Sequence, residues 1–469
     1  MGQRKIYILS NFSQYLKSYS PIIVVGSQLT MLKRAGYEPV LIAEEGWNPP
    51  EDSIFGNVET HRIPHVDIDG EFVDEKFDRD VDTLYEALRD SLDDESVILT
   101  HDLIFLPDYV KLQVACRRIA DEVPSISWLH WVHSATSPEQ LIKERAMFAG
   151  KYAEHLAEKF PNSLVCYPNA YDIPRVAANY NYEENEIVEV PHCTDPTEGM
   201  SYLVRKLYDD LKLGDPRALM IYPVRLDRGK YVEACIHLMG GFKDHGVTSH
   251  LIVCDFQSTG GDKVTYREEL KGLARELGVY ERVTFLSEFD DSAVMEVSHS
   301  VILELFTLSN VFILPSKSET YSLIAQEAML KGNLCLLNHD FGPFRQIYGK
   351  NALYKQFDGA NIAFDGFNGT IESHHTPIKN YYQAMASSIT YYLENEHVLR
   401  AKTWVRTQRN PDKVFRDFIE PLLNVEEIQD AKVLGDTPGI LGTGASPVGS
   451  FGTTPFPGQD SPAGDQVGY

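Results

Sequence analysis

The chain has 469 residues, of which 43% are hydrophobic and 24% charged, and it carries a formal net charge of −25. That length exceeds one ordinary core and suits two domains, while a field of that sign disfavours generic binding to nucleic acid or to an anionic membrane surface. The six cysteines, at 116, 166, 193, 235, 254 and 335, contain no C-x-x-C pair and read as free thiols of a reducing compartment rather than a zinc or disulfide frame. No run approaches ~18 uninterrupted apolar residues, and the opening MGQRKIYILSNF has no long apolar core of a signal peptide. The expectation is a cytoplasmic protein with no stable membrane insertion.

Strand-like and helix-like segments alternate along most of the chain. KIYILS (5–10) reads as the first strand, and Pro21 opens a helix that ends near Gly36. PVLIAEE (39–45), SVILTHD (96–102), SISWLHWVH (125–133), SLVCYP (163–168) and EIVEVP (186–191) continue the strands of the first half. The pattern restarts with RALMIYPVRLDRGK (217–230), then SHLIVCDF (249–256), a helix over 262–278, RVTFLSEF (282–289), NVFILPS (310–316) and NLCLLNHD (333–340). Strands alternating with helices imply parallel sheets covered on both faces. The fold class expected is α/β, with two doubly wound Rossmann-like domains facing across a cleft. The expected division is 1–205 for the first domain and 206–400 for the second. Residues 401–430 then form a helix packing back on the first domain, and 431–469 form a disordered Gly/Pro/Ser/Thr-rich tail.

In open α/β sheets, ligands bind beyond the carboxyl ends of the strands. Arg225-Leu226-Asp227-Arg228-Gly229-Lys230 leaves one strand with three cations and a glycine. An arginine fork and a lysine point charge, Arg225 and Lys230, suit a diphosphate. Ser316-Lys317-Ser318-Glu319-Thr320-Tyr321-Ser322-Leu323-Ile324-Ala325-Gln326-Glu327 leaves another strand into a helix. Its plainest reading is a capping box, Ser316 with Glu319. The helix start also aims free N–H groups, around Tyr321, Ser322 and Leu323, at the same crevice. Two cations and a helix N-terminus suit phosphate oxygens, and ionised carboxylates suit sugar hydroxyls. A nucleotide sugar offers both.

The order RLDRGK, VTFLSEF, NVFILPSKSETYSLIAQEAMLKG and GPFRQI resembles the second domain of family 4 glycosyltransferases, which have the GT-B fold. Glu319 and Glu327 reproduce the family's E-x7-E, and Arg225 and Lys230 its diphosphate-binding pair. The resemblance spans about residues 185–350 well and the first domain loosely. It implies sugar transfer with retention, from a UDP-, GDP- or ADP-linked sugar, with no metal and no further cofactor. Glu319 would face the donor sugar, Glu327 the ribose, and Arg225 and Lys230 the departing diphosphate. Tyr321, Ser322 and Leu323 would lie near the phosphates. In the family a histidine at the end of a first-domain strand approaches the reacting sugar; His130 fits that place first and His133 second, and His101 with Asp102 would line the acceptor side. Two departures stand out: Tyr222-Pro223-Val224 where the family often has a glycine, and NFSQYLKSYSP in place of a glycine-rich loop after the first strand.

Three other readings compete. A metal-holding D-x-D is offered by Asp67-Ile68-Asp69, but the following Gly70 makes a turn the better account. A sugar-nucleotide epimerase or hydrolase would share the nucleotide pocket, and a non-catalytic nucleotide-sugar-binding protein would keep the cations and carboxylates. The acceptor is a hydroxyl on a glycan, a small metabolite or a hydroxylated DNA base, the last disfavoured by the charge. The helix expected over 138–160 mixes charges of both signs, which argues against lipid attachment.

Overall fold

The computed structural model describes residues 4–423, apart from residue 11, 67–74, 105–108, 136, 138–157, 257–260, 318, 358–359, 366–369 and 376–377. The Asp67–Gly70 turn, most of the helix expected over 138–160 and the tail from 431 lie outside the described residues.

Seven parallel strands form the first sheet: β1 (Lys5–Leu9), β2 (Val40–Glu44), β3 (Thr60–Ile63), β4 (Ser96–His101), β5 (Ser127–Trp131), β6 (Ser163–Tyr167) and β7 (Ile187–Glu189). Their spatial order is β3-β2-β1-β4-β5-β6-β7. Six more form the second sheet: β8 (Ala218–Val224), β9 (Ser249–Asp255), β10 (Val283–Phe285), β11 (Val311–Leu314), β12 (Leu334–Asn338) and β13 (Leu353–Lys355), in the order β10-β9-β8-β11-β12-β13. Each sheet begins centrally, winds outward, and returns on the other side, which is the doubly wound Rossmann topology. The strands are apolar almost throughout because helices cover both faces. Every residue of β4, β5, β6 and β9 is buried.

This winding leaves one crevice per sheet where the strand order reverses. In the first sheet it lies between β1 and β4, and in the second between β8 and β11. Pairing of β8 with β11 is confined to Met220 against Val311, whereas β8 pairs β9 from Ala218 to Val224. Pro223, which has no N–H, stands where β8 keeps only its β9 neighbour, so the proline removes no bond to β11.

Local boundaries differ from expectation in three places. The strand read over 125–133 ends at Trp131, leaving His133 beyond it. RVTFLSEF is strand only to Phe285, and Leu286–Phe289 turns into a short helix. The helix read from 401 begins at His397, stops at Gln408, and resumes as Pro411–Val414, Phe415–Ile419 and Glu420–Leu423, the break marked by Asn410 and Pro411.

Val414, Phe415, Ile419, Leu422 and Leu423 share a buried cluster with Ile6, Ile8, Leu29 and Trp131 of the first domain. The chain thus crosses back after the second domain. Arg34, at the end of the Ser20–Arg34 helix, meets Asp195, Asp209 and Asp412 at 3.4, 3.6 and 3.7 Å, so one guanidinium ties the two domains and the returning segment together.

Candidate active site

The loops after β8 and β11 stand side by side. The backbone N–H of Lys317 donates to the Gly229 carbonyl at 3.2 Å, and the Lys317 ammonium lies 4.7 Å from the centre of the Tyr231 ring. Lys230 Nζ reaches Glu319 Oε1 at 2.5 Å, with both side chains about one-fifth to one-quarter exposed. The sequence places these groups 89 positions apart, and the crevice brings them into one ion pair. Arg225 is half exposed, with its Nε 3.8 Å from Asp227 Oδ2. Arg228 is committed elsewhere, to Glu269 at 2.8 Å and the face of Tyr266. Of the three cations in RLDRGK, Arg228 is therefore the structural one.

The capping box is corrected by the structure. The helix starts at Leu323 rather than near Ser316, and runs Leu323–Leu330 with Ser322 as its N-cap. Ser316 is fully buried, and Glu319 is held by Lys230 instead. The turn before the helix is sharp. Ser322 has φ of 69°, a left-handed conformation that costs a residue with a Cβ about 1 kcal/mol or more. The Tyr348 hydroxyl donates to the Tyr321 and Ser322 carbonyls, at 3.0 and 2.7 Å, and pins this turn. Glu327, one helical turn inside, has its Oε1 2.9 Å from His299 Nε2. His299 and Tyr348 were not singled out in the sequence. Tyr348 follows GPFRQI directly and was within reach of that motif; His299 carries no local signal.

At the first sheet, the candidates divide. His130 is corrected: it does not sit at a strand end. It is the fourth residue of β5, paired with Thr100, and it is completely buried. Its ring lies between Trp128 and Phe160, with centroids at 6.2 and 4.5 Å, and its Nδ1 is 2.7 Å from Thr100 Oγ1. Burial first, and the charge of Arg117 second, push its pKa down to about 3. It is a neutral core histidine with no exposed surface.

His133, two residues past the strand, stands in a row with His101 and His192. The rings of His101 and His133 stack at 5.3 Å, those of His133 and His192 at 5.6 Å. His101 Nδ1 is 3.0 Å from His133 Nε2, and its Nε2 is 2.9 Å from Gln28 Oε1. Burial is the first cause that holds all three below the usual 6.5, and their mutual repulsion adds to it for His101 and His192. Asp102 closes the row. Its backbone is left-handed, with φ of 54°, and its Oδ1 accepts the His133 backbone N–H at 2.9 Å. Burial raises its pKa to about 6, only partly offset by that hydrogen bond. His192 and Gln28 were missed. His192 lies just past a strand end, as His133 does, and that rule would have found it; Gln28 sits in mid-helix with no such signal. Among the described residues, no group of three or more histidines, cysteines or carboxylates is arranged to hold a metal ion, and no helix is long and apolar enough to cross a membrane.

Residues 205–361, which carry both second-domain loops, match the family model for glycosyl transferases group 1. The match gives the second half of the chain a glycosyl transferases group 1 domain, and each half is built on a doubly wound, Rossmann-like parallel sheet. No curated protein matches the chain by sequence. Among solved structures, a glycosyltransferase from Rickettsia africae is similar at 12% identity, covering 93% of this chain and 100% of the other, with a TM-score of 0.33. Sucrose-phosphate synthase from Thermosynechococcus elongatus is similar at 18% identity, covering 92% and 97%, with a TM-score of 0.30. Anabaena HepE, solved with UDP and glucose, is similar at 15% identity, covering 92% and 100%, with a TM-score of 0.30. At such scores these likenesses carry no argument about the site.

Proposed function

We propose that the protein moves a hexose-type sugar, with retention, from a nucleotide-diphosphate sugar to a hydroxyl acceptor. The observation that carries this reading is the Lys230–Glu319 pair at 2.5 Å, in the crevice where the second sheet reverses. A lysine and a carboxylate there place a phosphate-binding cation beside an acceptor of sugar hydroxyl bonds. Lys230 and Arg225 neutralise the diphosphate as it leaves. The Tyr321–Ser322–Leu323 turn supplies backbone N–H groups to the phosphates, and Glu327 takes the ribose hydroxyls once His299 gives way. Charge developing on a leaving diphosphate is the largest demand of the reaction, and fixed cations with a helix N-terminus meet it. UDP, GDP and ADP sugars are the donor classes, and this arrangement assigns the charge to side chains rather than to a metal.

On the acceptor side His133 replaces His130 as the histidine that approaches the reacting sugar, with His101 and Asp102 beside it. The row is neutral at pH 7 because burial disfavours imidazolium, so it offers hydrogen bonds rather than charge. The test is nucleotide release from UDP-, GDP- and ADP-glucose, followed by chromatography, for the wild type and Glu319→Ala. Release from one donor, abolished in the variant while the free nucleotide still binds, is the expected result. Unchanged release in Glu319→Ala contradicts the assignment.

A further inference from the structure

We propose that the acceptor is an alcohol carrying an apolar ring, and that the ring sits in a pocket between the Ser20–Arg34 helix, Trp131 and the returning C-terminal segment, beside the histidine row. The proposal rests on the glycosyl-transfer reading above and names the class of its acceptor.

The pocket holds about 180 Å³ and is lined chiefly by Ile23, Val24, Met31, Trp131, Val190 and Ile419. An apolar cavity of roughly 150 Å³ accommodates benzene, so this one has room for a single six-membered ring. A sugar ring of that size would leave its hydroxyls without partners against these walls, at about 1–3 kcal/mol for each buried group. An aromatic or saturated carbocycle loses nothing there and gains from leaving water.

Position ties the pocket to the reaction. Trp131 is the last residue of β5, and Val190, Pro191, His192 and Cys193 directly follow β7, so the pocket lies at the carboxyl ends of the first sheet's strands. Two of its polar lining residues lead straight into the histidine row. Gln28 is hydrogen-bonded to His101 at 2.9 Å, and His192 stacks on His133 at 5.6 Å. A ring seated against Trp131 therefore directs a substituent hydroxyl toward His101, His133 and Asp102. The pocket's edge is apolar as well: Ile23, which lines it, is 58% exposed. An apolar pocket with a few convergent polar groups at one end is the usual form of a small-molecule site.

The probe is 4-fluorobenzyl alcohol, followed by fluorine NMR on the full chain. A saturable shift with Kd in about the millimolar range is expected for so few atoms. Ser27→Phe places a ring in the pocket and should weaken the binding at least about tenfold, while calorimetric nucleotide binding stays unchanged. Contacts from the alcohol's ring to the Met31 methyl, read by nuclear Overhauser effects in the wild type, decide the location even where Ser27→Phe fails to fold. No saturable shift, no contact with Met31, or an equal shift in folded Ser27→Phe overturns the proposal. Alcohol binding intact with no nucleotide bound by the wild type counts instead against the transfer reading.

Discussion

The two crevices solve the same topological problem with opposite electrostatics. In the second sheet the groups at the reversal point are partly solvated ion pairs, Lys230 with Glu319 and Arg225 with Asp227, and Glu327 stands against the His299 ring. In the first sheet they are imidazoles held below their usual 6.5: buried His101, half-buried His133 and exposed His192 in one row, beside Asp102, whose carboxyl is raised to about 6. A diphosphate needs fixed charge, and an incoming alcohol needs a dry, oriented hydrogen-bond partner. Under the proposed transfer, the difference between the crevices divides the labour of the reaction.

Substitutions on the two sides should separate cleanly. The largest effect is expected for Glu319→Ala, which removes the donor-sugar carboxylate and leaves Lys230 unpaired. Turnover should fall by about 10²–10³-fold with nucleotide affinity nearly kept, as a comparison of release rates with calorimetry would show. Next comes the pair that tests the histidine correction. His133→Ala should cost about 10²-fold in transfer. His130→Leu should leave the rate of folded enzyme within a few-fold and cost about 1–3 kcal/mol of stability, because Thr100 loses its buried partner. The reverse pattern would return the catalytic role to His130. Arg225→Lys keeps the charge and loses the planar fork; about a tenfold rise in KM for the donor is the expected outcome of steady-state assays.

The smallest effect concerns stability against pH. His101, His130, His133, His192, His237 and His250 all titrate below 6.5 in the folded chain. Below pH 6.5 the unfolded chain binds more protons at these sites. Their contribution is therefore fully present above that pH and lost as pH falls toward the folded values. Asp102 has the opposite sign: raised from 3.8 to about 6, it binds more protons when folded, so its burial is penalised above pH 6 and the penalty fades as pH drops. Thermal unfolding between pH 7 and 6 should show the histidine slope. His130→Leu should flatten it at lower pH by up to about 1.4 kcal/mol per unit. An unchanged slope would mean that His130 is charged or exposed.

The second crevice was legible in the sequence because its groups lie on two continuous strand exits. E-x7-E and RLDRGK each carry their own geometry, and the strand order supplies the rest. What the sequence concealed there came through packing: His299 reaches Glu327 from 28 residues away, on a different helix, and the helix began seven residues after Ser316 because Tyr321 and Ser322 turn first. The first crevice was harder to read for a different reason. A β-strand alternates faces, so an error of one residue moves a side chain from one face to the other. Extending β5 from Trp131 to His133 made both histidines strand-end candidates, and only the register against Thr100 shows that His130 points into the core. Gln28 and His101 meet across 73 residues, a contact set by topology alone.

The central claim is a nucleotide-sugar pocket at the second sheet's reversal point. Calorimetric binding of UDP, GDP and ADP, with a chelator present, to the wild type and Glu327→Ala tests it most directly. One of the three should bind the wild type clearly and bind Glu327→Ala at least about tenfold more weakly, through the lost ribose contact. Folded wild type that binds none of them, or Glu327→Ala that binds as the wild type does, would contradict it.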